Sequence, residues 1–142
     1  MRIIGLNFKK ISAERKKDIK GKLEIKSNLQ ITKIEKENID IAGDVLRFSY
    51  IYEIKYEPDF AEVIFKGNLL LVPNKPGEIK KIIKEWKKQK LDEEIKILVF
   101  NFIMSKCNLK ALQLEEEFTL PPHIPLPKIS KQQNTQQANY TG

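Results

Sequence analysis

The sequence predicts an α+β domain, with strands in its first half and helices in its second. Three observations carry this. Leu46, Phe48, Tyr50, Tyr52, Ile54 and Tyr56 recur at every second position, and Ala61, Val63, Phe65, Gly67, Leu69 and Leu71 repeat the pattern after a short link. Period two is the signature of a strand with one buried face. From Ile79 the spacing changes to i, i+3, i+4, i+7 through Ile82, Ile83 and Trp86, which is helical. Last, an apolar helix from about Asp92 to Phe118 runs into Leu120–Pro127, where four of the seven prolines fall. Proline fixes φ and lacks an N–H, so that segment must run extended, close to polyproline II.

Taken in order, Arg2 to Phe8 alternates loosely and predicts a first strand, followed by a charged loop or short helical turn over Lys9 to Gly21. Leu23, Ile25, Leu29 and Ile31 predict a second strand, closed by a turn marked by Glu37-Asn38 and Ala42-Gly43-Asp44. The third strand spans Leu46 to Tyr56, with Arg47, Ser49, Glu53 and Lys55 on its outer face and Ile51 as the exception. Glu57-Pro58-Asp59 is a turn, so the third and fourth strands form an antiparallel hairpin. Gly67, inside the fourth strand, marks a bulge or a close backbone approach. A helix starts near Pro76, because proline suits a first turn, and turns Lys80, Lys84, Lys87 and Lys88 outward. Asp92 caps the long helix, with Glu93 and Glu94 favourable in its first turn.

The long helix is apolar on more than one face. One stripe is Ile95, Leu98, Phe102, Leu109 and Leu112; another is Phe100, Met104, Cys107, Ala111, Leu114 and Phe118. One side can cover the sheet. The other needs a second partner, and another copy of the chain is the economical choice. A homo-oligomer is therefore expected, with Phe100, Met104, Cys107 and Ala111 at its interface; Asn108 is where the helix could break. Leu120, Ile124 and Leu126 of the proline strip also seek a surface to cover.

The 142 residues suffice for one domain, read as 1–130, with the Gln- and Asn-rich stretch 131–142 expected to be a disordered polar tail. A hydrophobic fraction of 41% with 32% charged residues is that of a soluble globular chain. The net charge is +7, and lysines crowd Lys9–Lys26 and Lys75–Lys90. Such a surface is either simply solvated or attracts nucleic acid. Arginine is scarce and aromatics do not alternate with the basic residues, which favours the first reading. No apolar run is long enough to cross a membrane, and the N-terminus is charged too early for a signal peptide, so a cytoplasmic location is expected. A single cysteine, Cys107, excludes an internal disulfide and a multi-cysteine zinc site. The Lys, Glu and Ile bias resembles that of proteins from thermophiles.

Catalytic signatures are missing. There is no GxxxxGK[ST], GxGxxG or HExxH. His123 is the sole histidine and sits between prolines, in a structural or solvent-facing role. Cys107, in an apolar stretch, reads as a small buried hydrophobe, and Glu115-Glu116-Glu117 as a solvated helix face. No enzyme activity, cofactor or metal is expected. Tyr50, Tyr52 and Tyr56, sharing a strand face with Phe48, are either plain core or an aromatic floor beneath a groove for apolar peptide side chains.

In this order the elements resemble the SecB-type export chaperones and the SecB-like proteins of archaea. The resemblance lies in Leu46–Ile54, Ala61–Leu70, Ile97–Cys107 and Pro122–Pro127, and spans roughly Arg2 to Ile129. It implies a four-stranded antiparallel sheet with helices packed on one face, assembled as dimers or dimers of dimers. It also implies an ATP-independent holdase, linked to protein transport, that keeps unfolded or apolar polypeptide segments from aggregating. Tyr50, Tyr52, Phe65, Ile124 and Leu126 are the candidate peptide-binding residues. The chain departs from the bacterial proteins in being basic rather than acidic, in its lysine-rich Gly77–Leu91 insertion, and in having no second helix after the loop. The alternative is a non-enzymatic adaptor or nucleic-acid-associated protein using Lys75–Lys90.

Overall fold

The computed structural model describes residues 1–127. Six elements follow in chain order: β1 (Arg2–Arg15), β2 (Glu24–Ile39), β3 (Gly43–Glu57), β4 (Ala61–Val72), α1 (Gly77–Lys87) and α2 (Glu93–Glu117). The strands form one antiparallel sheet in the order β1-β4-β3-β2. Both central strands keep the expected alternation. Leu46, Phe48, Tyr50, Tyr52, Ile54 and Tyr56 of β3, and Ala61, Val63, Phe65, Leu69 and Leu71 of β4, belong to one core with Ile79 and Ile82 of α1 and with α2. Helices thus cover one face of the sheet. No helix among the described residues is long and apolar enough to cross a membrane.

β1 differs from its sequence reading. It does not stop at Phe8 but continues to Arg15, through the segment expected to be a loop. The pairing with β4 skips a residue between Phe8 and Lys10, and this bulge shifts the side-chain phase, so the alternation no longer reads through. Beyond it Ile11 pairs with Phe65 and Ala13 with Val63, so the ladder carries the charged stretch as strand. β2 likewise runs through Glu37-Asn38 to Ile39, which leaves only residues 40–42 for the turn. As edge strands, β1 and β2 need only one bonded side, and their polar residues are tolerated there.

Of the two expectations held for Gly67, the close approach holds, while the bulge lies on the partner strand β1. Gly67 pairs with Phe8, next to the β1 bulge, and a Cβ placed on it would lie 2.0 Å from the Asn7 carbonyl oxygen. That carbonyl accepts the Tyr50 hydroxyl at 3.0 Å, so the crossing of β1 over β4 is fixed from the β3 side as well.

α2 is unbroken through Asn108. Its buried residues are Ile95, Val99, Ile103, Cys107, Ala111 and Glu115, one every four positions. An i, i+4 row is inclined to the helix axis, as expected of a straight helix crossing a twisted sheet. This row corrects both apolar stripes read from the sequence. Cys107 and Ala111 are 0% exposed and lie in the chain's own core, so they have no surface for a second copy. Of the four residues expected at an oligomer interface, Met104 is exposed and Phe100 half-buried. The outward apolar residues of α2 are Ile97, Leu98, Met104 and Leu109. The expected tail, 131–142, lies outside the described residues.

Candidate functional site

The site is built along one flank of α2. Arg15, at the end of β1, donates to the carbonyls of Phe118 and Thr119 and so caps the helix C-terminus with a cation. Thr119 takes a positive φ of 55°, and the Leu120 amide returns to the Glu115 carbonyl at 2.7 Å. The chain therefore leaves the helix by doubling back, and the proline strip retraces the last turns of α2. Tyr56 of β3 donates to the Pro121 carbonyl and tethers the start of the strip to the sheet.

His123 is the centre of the strip. Its side chain and that of Glu115 are each only 1% exposed. Nδ1 stands 3.0 and 2.7 Å from the two Glu115 carboxylate oxygens, and the His123 amide donates to the same carboxylate at 3.2 Å. Nε2 stands 2.8 Å from the Asn108 side-chain oxygen, which also accepts the Tyr52 hydroxyl at 3.0 Å. Both ring nitrogens face side-chain oxygens, so the imidazole is held between Glu115 and Asn108 inside the protein. Strip, α2 and β3 are joined through four side chains. The bonds tie the strip to α2 and the sheet, and so act as a lock on it.

Sequence reasoning missed this lock. Glu115 was read as part of a solvated acidic run, yet it is the last member of the buried i, i+4 row. That row was the available signal: continued from Ala111, it points a carboxyl group inward, and the lone histidine eight residues on is its natural hydrogen-bond partner. No local signal marks Asn108.

The aromatic face is core in the structure and not an open floor. Tyr50, Tyr52 and Phe65 are 1, 2 and 0% exposed, because α2 lies over them. Each β3 phenol instead ties a neighbouring element: Tyr50 to β1, Tyr52 to α2, and Tyr56 to the strip. Burial raises all three hydroxyls above their ordinary pKa. Of the remaining candidate peptide-binding residues, Ile124 is half-buried on the strip and Leu126 exposed.

Burial pushes the Cys107 thiol up to about 12. The thiolate is the reactive form, so native Cys107 should react with a disulfide reagent only as fast as the protein opens, and at once in denaturant. Rapid native labelling at neutral pH would contradict this placement.

An open groove lies on the same flank, toward the N-terminus of α2. It has a volume of about 600 Å³ and is floored by Leu29 and Ile31 of β2, walled by Trp86 and Leu91, and closed by Phe100 of α2. Gln30, Gln89, Lys90, Glu93 and Lys96 form its polar rim. Leu29 pairs with Tyr52 and Ile31 with Tyr50, so the groove floor adjoins the strand positions beneath the lock. A second hollow, about 320 Å³, lies where the strip meets α2, between Leu112, Glu116, Leu120, Pro122 and Leu126.

A four-stranded antiparallel sheet, two helices on one face and an irregular segment folded back along the longer helix define a SecB-like α+β fold. Among solved structures, the chain is similar to a Mycobacterium tuberculosis SecB-like chaperone in complex with a ChAD peptide from the HigA1 antitoxin. The TM-score is 0.52 at 16% sequence identity, over 92% of this chain and 91% of that one. At that identity the likeness is one of fold. No protein-family model and no curated protein matches the sequence.

Proposed function

We propose that this chain is an ATP-independent, SecB-like holdase that takes up apolar segments of unfolded polypeptide along the flank of α2. The observation that carries this reading is the groove itself: five apolar side chains, Leu29, Ile31, Trp86, Leu91 and Phe100, line an open trough with a mixed-charge rim. Apolar side chains at the base of an open, polar-rimmed trough bind apolar partners by burial, at about 25 cal/mol per Å² before entropy costs, and do not ask for a particular sequence. The SecB-like neighbour was solved with a peptide bound, which agrees with this use of the fold. Ile124 and Leu126 extend the apolar surface along the strip, while Tyr50, Tyr52 and Phe65 support it from below. The chain acts as a dimer or dimer of dimers through the outer residues of α2, and its native mass tests that assembly directly.

Trp86, the single tryptophan, is a built-in reporter of the groove. An apolar peptide should shift its emission, and the protein at stoichiometric ratio should suppress aggregation of a model unfolded protein. Ile31→Glu places a carboxylate on the groove floor and should weaken peptide binding about tenfold or more, with little loss of fold at this half-buried edge position. Absence of both aggregation suppression and peptide binding would sink the proposal. The lysines Lys80, Lys84, Lys87 and Lys88 all stand exposed on α1, which keeps nucleic-acid association as the second reading. Its test is retention on a DNA or RNA column that falls steeply with salt.

A further inference from the structure

We infer that the proline strip is an internal occupant of the client groove, and that a long apolar client must displace it. The inference rests on the groove reading above and goes on to say how that groove is regulated. Lys96, Phe100, Met104, Asn108, Leu112 and Glu116 each directly follow a member of the buried row, so together they trace one margin of it along α2. Lys96 and Phe100 border the open trough. Asn108 bonds His123, and Leu112 and Glu116 line one hollow with Leu126. One flank is therefore open at one end and covered by the strip at the other.

The strip has the chemistry of what the groove would hold. It has no regular structure, bends at His123 and Ile124, is apolar at Leu120, Ile124 and Leu126, and is poor in N–H donors. It is held by the His123–Glu115 pair and by Asn108, not by a continuous apolar seal, since Leu126 remains 48% exposed. Lys96 to Glu116 spans ~30 Å of helix, which matches about nine residues of extended chain. The open part, Lys96 to Met104, spans ~12 Å and matches about four. A short apolar segment fits beside the strip, and a longer one requires the strip to leave. On departure Glu115 and His123 lose each other as partners, a cost that the apolar contacts of a long client must offset.

The test uses a five-residue and a ten-residue Leu/Phe-rich peptide, read by Trp86 emission. His123→Ala removes the strip's side of the lock and should bind the ten-residue peptide about tenfold tighter than the natural chain, because the open state is more populated. Affinity for the five-residue peptide should stay unchanged. In the natural chain, the ten-residue peptide should also speed hydrogen exchange at the His123 amide, which bonds the Glu115 carboxylate. That second readout holds even if the variant folds poorly. Equal ten-residue affinity in both chains, or a slowed or unchanged His123 amide in the bound state, overturns the displacement. If neither peptide binds the natural chain, the groove reading fails and the displacement falls with it.

Discussion

Gly67→Ala should lower stability by about 2–6 kcal/mol and Tm by roughly 10–20 °C, among the largest single-residue effects in this fold. The added methyl would lie 2.0 Å from the Asn7 carbonyl oxygen and 2.7 Å from the Tyr50 hydroxyl oxygen. Neither is the free end of a flexible side chain: one is backbone in a strand ladder, the other a buried phenol. Moving the carbonyl lengthens the Tyr50–Asn7 hydrogen bond and strains the Asn68 amide that donates to the Asn7 side chain. The cost is thus overpacking plus a buried hydroxyl left without a partner, each about 1–3 kcal/mol. Gly77→Ala is the control. Nothing lies within 4 Å of its Cβ position, and it opens α1, where alanine favours helix. Thermal melts of the two variants side by side decide the matter: a Gly67 variant as stable as the Gly77 variant would show that β1 does not cross as closely as described.

The same residues show where the sequence is legible. β3 and β4 are central strands with one face in the core, so a strict period of two follows from the fold, and every inward position was readable. β1 was readable only to Phe8, since the bulge that accommodates Gly67 shifts its phase at Lys9. On α2 the difficulty is of another kind. A helix apolar all round gives no preferred face, and which row turns inward is decided by its crossing angle with a twisted sheet, a tertiary quantity. Cys107 and Ala111 were placed outward for that reason. The proline strip was legible as a non-helical, packed segment. Its lock was not, because Glu115 and His123 belong to different local patterns, and only the reversal at Thr119 brings them together.

Alkaline pH should unfold the protein steeply, between about pH 11 and 12, through the phenols and thiol buried under α2. Tyr50, Tyr52 and Tyr56 are raised above their ordinary pKa mainly by burial. For Tyr50 the Cys107 thiol adds to the shift, and for Tyr56 the Glu115 carboxylate does. Cys107 is pushed up from 9.0 to about 12. Below about pH 7.5 these groups are protonated in both folded and unfolded chains and contribute no pH dependence. Above it the unfolded chain releases their protons while the folded chain keeps them, so stability falls as pH rises. Each group contributes a slope of about 1.4 kcal/mol per pH unit, and four acting together approach about 5 kcal/mol per unit once the unfolded tyrosines titrate. A total stability of about 5–15 kcal/mol is exhausted within one to three units of such a slope. Urea unfolding at increasing pH measures it, and ultraviolet absorbance of phenolate gives an independent readout. Phenolate from the three β3 tyrosines should appear together with unfolding. Appearance of more than one of the chain's four phenolates while it remains folded would show that α2 leaves these hydroxyls open to solvent, and the covered aromatic face would have to be redrawn as an accessible one.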